Sequence, residues 1–149
     1  MGPGKGPGEE EKEQGVTAMK RVDIRTYFKN GRAVVSSQTY AIIKTKRACA
    51  NAFAIIKDDR ETTCIIEESK VGSQKFLGFE GDWRMITFDM VLPLSLVGFF
   101  AAVSGALADA GVNIFTVSAY TTDHVFVKNP KLDVAIKTLE KLGMSVRQL

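Results

Sequence analysis

The stretch that decides the fold runs from residue 83 to residue 128, WRMITFDMVLPLSLVGFFAAVSGALADAGVNIFTVSAYTTDHVFVK. Its opening, WRMITFDMV, alternates as a half-buried strand does, and Pro93 halts it. LPLSLVG then leads into a helix predicted over residues 97–110. Val97, Ala101, Ser104 and Ala108 recur at spacings of three to four and define its expected inner face, widened by Phe100 and Leu107. Ala101, Ala102, Gly105 and Ala106 are small enough for the helix to lie close to a sheet. Gly111 stands where a left-handed helix stop is expected. VNIFTVSAY is β-branched and aromatic and reads as a second strand, TTDH as a turn, and HVFVK as a third strand.

Downstream, LDVAIKTLEKL places Leu132, Ala135, Ile136, Leu139 and Leu142 on one helical face. Pro130 suits its first turn, Gly143 its end, and MSVRQL a last strand. From residue 83 onward the order is therefore β-α-β-β-α-β, an α+β, ferredoxin-like pattern of a four-stranded antiparallel sheet with both helices on one face.

Upstream the signals are less regular. RVDIRTYF and AVVSSQ flank KNGR, and Asn30-Gly31 is a strong two-residue turn signal, which predicts a hairpin over residues 20–37. Residues 40–51 read as a short helix, and AFAIIK-DDRE-TTCIIEE as a second hairpin. SKVGSQKFLGFEGD, with three glycines, is a connector. Residues 1–18, rich in Gly and Pro before an EEEKE run, carry too little apolar surface to offset the entropy of ordering and are expected to form a disordered tail. Two layered units result, residues 20–80 and 81–149.

Composition narrows the function classes. A chain of 149 residues with 45% hydrophobic content supports a packed core, and no apolar run reaches the roughly 18 residues a membrane helix needs. No apolar leader opens the sequence, and Cys49 and Cys64 read as free, packed thiols of a cytoplasmic protein. With a single histidine, a Cys/His zinc site is implausible, no catalytic Ser/His/Asp or Cys/His set assembles, and no cofactor is implied. The net charge of +3 lacks the basic stripe of a dedicated nucleic-acid binder.

A binding site is the better expectation. The turn before the helix presents free amides near Leu96, Val97 and Gly98, where a carboxylate is favoured and Gly98 admits close approach. Asn113 and Ile114 open the following strand with backbone groups to offer. Thr121, Thr122 and Asp123 bring hydroxyls and a carboxylate into one turn, and Asp123 is suited to pair with an ammonium group. The plain alternative for that turn is an Asx-type β-turn with no ligand. His124 reads as a packed or solvated strand histidine, and Trp83, Phe99 and Phe115 as packing residues.

Trp83, Val97-Gly98, Ala110-Gly111-Val112-Asn113-Ile114, Ser118, Tyr120, Thr122-Asp123 and Val127-Lys128 together resemble the ACT-domain family. The similarity is greatest to small paired-ACT proteins akin to aspartate kinase regulatory domains and CASTOR-type amino-acid sensors. The resemblance is specific over about residues 83–140 and holds only in outline over 20–80. It implies two ACT-like units in tandem and a non-catalytic, allosteric effector-sensing protein, with an amino acid held between paired units. The ligand-binding residues carried over are Leu96, Val97, Gly98, Asn113, Ile114, Thr121, Thr122 and Asp123. Ala119 and His124 depart from the Thr and Tyr common in the family, and the first helical turn adds no acid for a guanidinium. A small or apolar amino acid is therefore expected rather than arginine.

A bare sheet edge predicts a homodimer, with a partner enzyme as a further candidate. A purely protein-binding regulatory subunit is the rival. The RNA recognition motif shares the strand order, but HVFVK and ITFDM lack its stacking segment, so nucleic acid is disfavoured as a partner.

Overall fold

Arg32–Thr45 form one long strand, β1, whose two halves have different neighbours. The structure, a computed structural model, describes residues 23–149, so the expected tail over 1–18 lies outside the described residues. Around β1 are assembled β2 (Ala54–Lys57), β3 (Thr62–Glu67), β4 (Gly78–Phe88), β5 (Ile114–Ser118), β6 (Asp123–Lys128) and β7 (Ser145–Gln148). They make one sheet in the order β2-β3-β1-β4-β6-β5, with β7 joined to β1. The first half of β1 pairs in parallel with β7, from Arg32↔Ser145 to Val35↔Gln148. Its second half pairs antiparallel with β3, from Tyr40↔Glu67 to Thr45↔Thr62. On the other side β4 follows both halves antiparallel, with register shifts between Val35 and Thr39 and between Tyr40 and Ile42. Arg84 Nη2 donates to the Ser36 carbonyl at 2.9 Å, where β1 leaves the ladder.

The C-terminal elements run β4, α2 (Phe99–Asp109), β5, β6, α3 (Leu132–Leu142), β7, the βαββαβ order read from the sequence. The four strands do not close a sheet by themselves: β1 lies between β4 and β7. Ala33 and Val35 are fully buried opposite Phe88 and Ile86 of β4. That apolar half of β1 fills the central place where the simple ferredoxin-like order has β4 and β7 adjacent.

Two N-terminal expectations are corrected. Of RVDIRTYF, the described part, residues 23–28, does not form a hairpin strand. Ile24–Lys29 are helix α1, started by the Asp23 carboxylate, which accepts from the Arg25 N–H at 3.0 Å. Asn30 then caps a helix end instead of a hairpin turn. Residues 40–45 are strand, not helix: Tyr40 and Ile42 face one core while Ala41 and Ile43 face another, the pattern of a central strand buried on both sides. The hairpin of β2 and β3 is as expected, from Ala54↔Ile65 to Lys57↔Thr62.

One core lies between the helices and the sheet. Phe28 of α1, Val103 and Leu107 of α2, and Ala135, Ile136 and Leu139 of α3 pack on Val35, Ile86, Phe88, Val125 and Val127. The α3 face is the one its periodicity predicts. The α2 face is not: Phe99, Val103 and Leu107 point inward, whereas Val97 lies outside the helix, 85% exposed, and Ala101 and Ala108 face solvent. An alanine-rich helix has a weak apolar contrast, and its three large residues decide which side is buried. Gly105 therefore faces open space rather than the sheet. Gly111 (φ 73°) and Gly143 (φ 112°) both adopt the left-handed conformation expected at helix ends.

A second core lies on the opposite face of the sheet, made by Tyr40, Ile65, Trp83, Met85 and Phe126. Phe53, beside β2, has its ring 5.9 Å from Phe126 and 5.0 Å from His124 of β6. Four inter-strand gaps of about 4.8 Å each separate β2 from β6 in a flat sheet, far more than a phenyl side chain spans. The sheet therefore curls at the β1 irregularity, and the β2–β3 hairpin folds over the face that the helices leave open. Trp83, Phe99 and Phe115 are packing residues, as expected: Trp83 lies beside Phe115 at 6.4 Å, with Lys128 Nζ 4.6 Å from the indole ring centre.

Candidate functional site

The chain leaves β4 at Phe88 and reaches α2 through residues 89–98, a loop held at both ends. At its start the Asp89 N–H donates to the Arg32 carbonyl at 2.8 Å. Near its end the Leu96 N–H donates to the Pro93 carbonyl at 2.9 Å. Gly98 caps α2 with φ 92°, a conformation that favours glycine, and no side chain caps the helix. The Ala102 N–H closes the first helical bond on the Gly98 carbonyl, so the amides just before it have no intrahelical acceptor. Such a helix start favours a negative charge.

The turn between β5 and β6 sits against this loop. The Leu92 N–H donates to the Thr121 carbonyl at 2.7 Å, and the Thr122 hydroxyl donates to the Phe88 carbonyl at 2.6 Å. Inside the turn the Ala119 N–H donates to the Thr122 carbonyl at 2.8 Å. The helix entry with Leu96, Val97 and Gly98 and the turn with Thr121, Thr122 and Asp123 thus occupy the same end of the sheet. The Thr122 O–H is therefore already engaged as a donor to the backbone. The Asp123 carboxylate makes no ion pair among the described residues.

Asn113 and Ile114 lie elsewhere. Ile114 pairs with Val127 and Ser118 with Asp123, so these two residues are at the far end of the β5–β6 ladder. Four residues of strand, roughly 14 Å, separate them from the acidic turn within one chain. A cavity of about 230 Å³ borders the same loop, lined by Thr26, Tyr27, Asn30, Met90 and Val91, and none of the residues expected to bind ligand lines it.

Sequence reasoning missed Leu92, whose amide ties loop to turn, and an apolar rim around them. Val91, Leu94, Val97 and Tyr120 are all largely exposed here. The available signal was VLPLSLVG itself: a run this apolar in a loop has to be covered by something or left in water.

His124 is half-buried beneath Phe53, and its Nδ1 lies 2.9 Å from the Thr87 hydroxyl. Burial holds the imidazole below its ordinary pKa of 6.5, partly opposed by the neighbouring Asp123 charge. The unfolded chain then binds the extra proton first. Stability contributed by neutral His124 is fully present above about pH 6.5 and is lost as pH falls towards the depressed folded value. Thermal midpoints measured between pH 7.5 and 5 are expected to fall, with a smaller fall in His124→Gln. Equal slopes for the two proteins contradict this account.

Among the described residues no cluster of His, Cys, Asp and Glu is arranged to hold a metal ion. Cys49 and Cys64 are both buried and free. The Cys49 N–H donates to Cys64 Sγ at 3.3 Å. Burial, with the neighbouring Cys64 thiol, pushes the Cys49 thiol up to about 11. No helix among the described residues is long and apolar enough to cross a membrane.

Loop, helix, turn and strands define an α+β fold in the βαββαβ order. Residues 78–141 match the sequence profile of the ACT domain, and this part of the chain is an ACT domain. Among solved structures the chain is similar to a protein from Agobacterium tumefaciens, at 20% identity and a TM-score of 0.70 over 80% of this chain and 94% of that one. It is similar to a Vibrio cholerae protein of unknown function, described as a possible transport protein, at 20% identity and a TM-score of 0.66 over 80% and 95% of the two chains. It is also similar to the ligand-free regulatory subunit of aspartate kinase from Thermus thermophilus, at 11% identity and a TM-score of 0.55 over 75% and 95%. At these identities the likeness is one of fold, and it is consistent with a tandem ACT-like arrangement. No curated protein matches the chain by sequence.

Proposed function

We propose that the chain is a non-catalytic regulatory protein of the cytoplasm that senses a free amino acid, held between paired ACT units in a homodimer. On this reading residues 20–80 supply the N-terminal ACT-like unit and 81–149 the C-terminal one, joined in a single sheet. The observation that carries it is the 2.7 Å bond from the Leu92 N–H to the Thr121 carbonyl, which brings an uncapped helix start and an unpaired carboxylate to one end of the molecule. An amino acid carries the two complementary charges: its carboxylate suits the helix start and its ammonium suits Asp123. A second copy would cover the apolar rim of Val91, Leu94, Val97 and Tyr120, and would bring its own Asn113 and Ile114 within reach. The aspartate kinase regulatory subunit among the similar structures supports a regulatory role by analogy of fold.

A regulatory subunit that binds only a partner enzyme is the second reading, favoured by the exposure of that same rim. A thermal-shift screen of the twenty amino acids separates the two. At a hundredfold excess over Kd a selective ligand adds about 2.7 kcal/mol, a rise on the order of 5 °C or more. One or a few small or apolar amino acids are expected to raise the midpoint, and Asp123→Ala to abolish the rise. A flat panel, or a strict monomer in sedimentation at micromolar concentration, rejects amino-acid sensing between paired units.

A further inference from the structure

At the opposite end of β4, up to roughly 33 Å of strand from the helix entry, two segments of the N-terminal unit enclose a groove of about 1140 Å³. One wall is the chain after β1, with Lys46, Arg47 and Asn51; the other is the segment before β4, with Lys70, Lys75 and Phe76. Among the described residues, four of its lining side chains are cationic and none is acidic. Lys70 is paired with Glu67 at 3.2 Å, whereas Lys46, Arg47 and Lys75 make no ion pair among the described residues.

Both walls have fixed backbones. On the first, Thr45 Oγ1 donates to the Arg47 carbonyl at 2.6 Å, Cys49 is buried against Cys64, and the Phe53 N–H donates to the Ile65 carbonyl at 2.7 Å. On the second, the Gln74 N–H donates to the Val71 carbonyl at 2.9 Å and the Leu77 N–H to the Lys44 carbonyl at 2.7 Å. Like charges facing one another across a hollow repel, and the repulsion is relieved by an anion between them. Phe76 adds a half-exposed ring at the lip, beside Phe79 at 5.3 Å.

Cations on two facing walls and a flat aromatic face at the edge define the ligand chemistry. We propose that this groove is a second binding site, distinct from the amino-acid site, that takes a nucleotide. Its phosphates lie among Lys46, Arg47 and Lys75, and its base lies against Phe76. Guanidinium and ammonium groups on opposite walls fit a polyphosphate better than a single carboxylate, because the oxygens of a phosphate chain reach both. The groove exceeds the usual small-ligand pocket of about 300–1,000 Å³ and admits a whole nucleotide. Nothing in this reading depends on amino-acid sensing.

The test is calorimetric titration of the full chain at low salt with ATP, inorganic triphosphate, adenosine and a ten-residue oligouridylate. ATP is expected to bind with one-to-one stoichiometry, triphosphate more weakly, and adenosine more weakly still. Arg47→Ala and Lys75→Ala should each weaken ATP by roughly tenfold, the loss of one charge-assisted contact. Phe76→Ala should weaken ATP while leaving triphosphate unchanged. The substituted residues are exposed, so thermal midpoints should be nearly unchanged, and any amino-acid-induced shift should persist in Arg47→Ala. No ATP binding up to about 1 mM, or binding unaltered in both charge variants, overturns the proposal. Tighter binding of the oligouridylate than of ATP, lost in Arg47→Ala, also overturns it and assigns the groove to single-stranded nucleic acid.

Discussion

Replacing Phe126 by alanine is expected to lower the unfolding free energy by about 3–5 kcal/mol. Phe126 is fully buried in the middle of β6. Its ring meets Tyr40 at 5.5 Å, Phe53 at 5.9 Å and Phe115 at 6.3 Å, all edge to face. These three partners come from β1, the start of the β2–β3 hairpin, and β5. One side chain thus joins the curled N-terminal strands to the ACT sheet. Truncating it leaves a void that the surrounding strands, fixed by their ladders, fill only in part, so the transfer and cavity contributions add. The loss is a large fraction of the roughly 5–15 kcal/mol that holds an ordinary domain together.

Urea unfolding of Phe126→Ala measures the loss. Amide exchange should show that it falls unevenly, with β2 and β3 opening more readily than α2 and α3, because the hairpin is held to the sheet face through this cluster. A loss below about 1 kcal/mol, or equal loosening of both layers, would mean that the curl does not depend on the aromatic cluster.

That curl was not legible in the sequence. Phe53 and His124 are 71 positions apart, and nothing local in either segment announces that their rings stack edge to face. What periodicity could read was read: α3 from Leu132, Ala135, Ile136 and Leu139, the helix stops at Gly111 and Gly143, and the β2–β3 hairpin from its own turn. Each of those signals is contained within one segment. Errors arose where two local readings compete. Asn30-Gly31 serves a hairpin turn or a helix exit equally well, and the Asp23 cap with buried Phe28 decides for the helix. YAIIKT alternates too weakly to look like a strand because both of its faces are buried, Tyr40 and Ile42 in the second core and Ala41 and Ile43 against Cys49, Cys64 and Ile66.

The candidate site was legible to the same degree. Connectivity alone brings helix entry and acidic turn near one another, since β4 and β6 are neighbours in the βαββαβ order. The same order carries Asn113 and Ile114 to the other end, a consequence of β5 being only five residues long and antiparallel to β6. The basic groove had no signature, because Lys46 and Arg47 are separated from Lys70 and Lys75 by a whole hairpin.

Replacing Phe99 by alanine is expected to cost about 3–5 kcal/mol and, unlike Phe126→Ala, to loosen the helix entry as well. Phe99 is the first residue of α2, directly after the left-handed Gly98. Its ring lies 5.1 Å from Phe28 in a stacked arrangement, 5.3 Å from Phe88 edge to face, and 6.5 Å from Tyr27. Helix α1 has only six residues and cannot be stable alone. It stays folded because Phe28 and Tyr27 pack on this ring, so the substitution undermines α1, the start of α2 and the loop between β4 and α2 together. A double-mutant cycle with Phe28→Ala should return a coupling of about 0.5–1.5 kcal/mol, the range for an aromatic pair in contact. Strict additivity would place the packing of α1 elsewhere. Any ligand-induced thermal shift should shrink in Phe99→Ala and be preserved in Phe126→Ala, because Phe99 sets the position of the helix-start amides and Phe126 lies on the other face of the sheet.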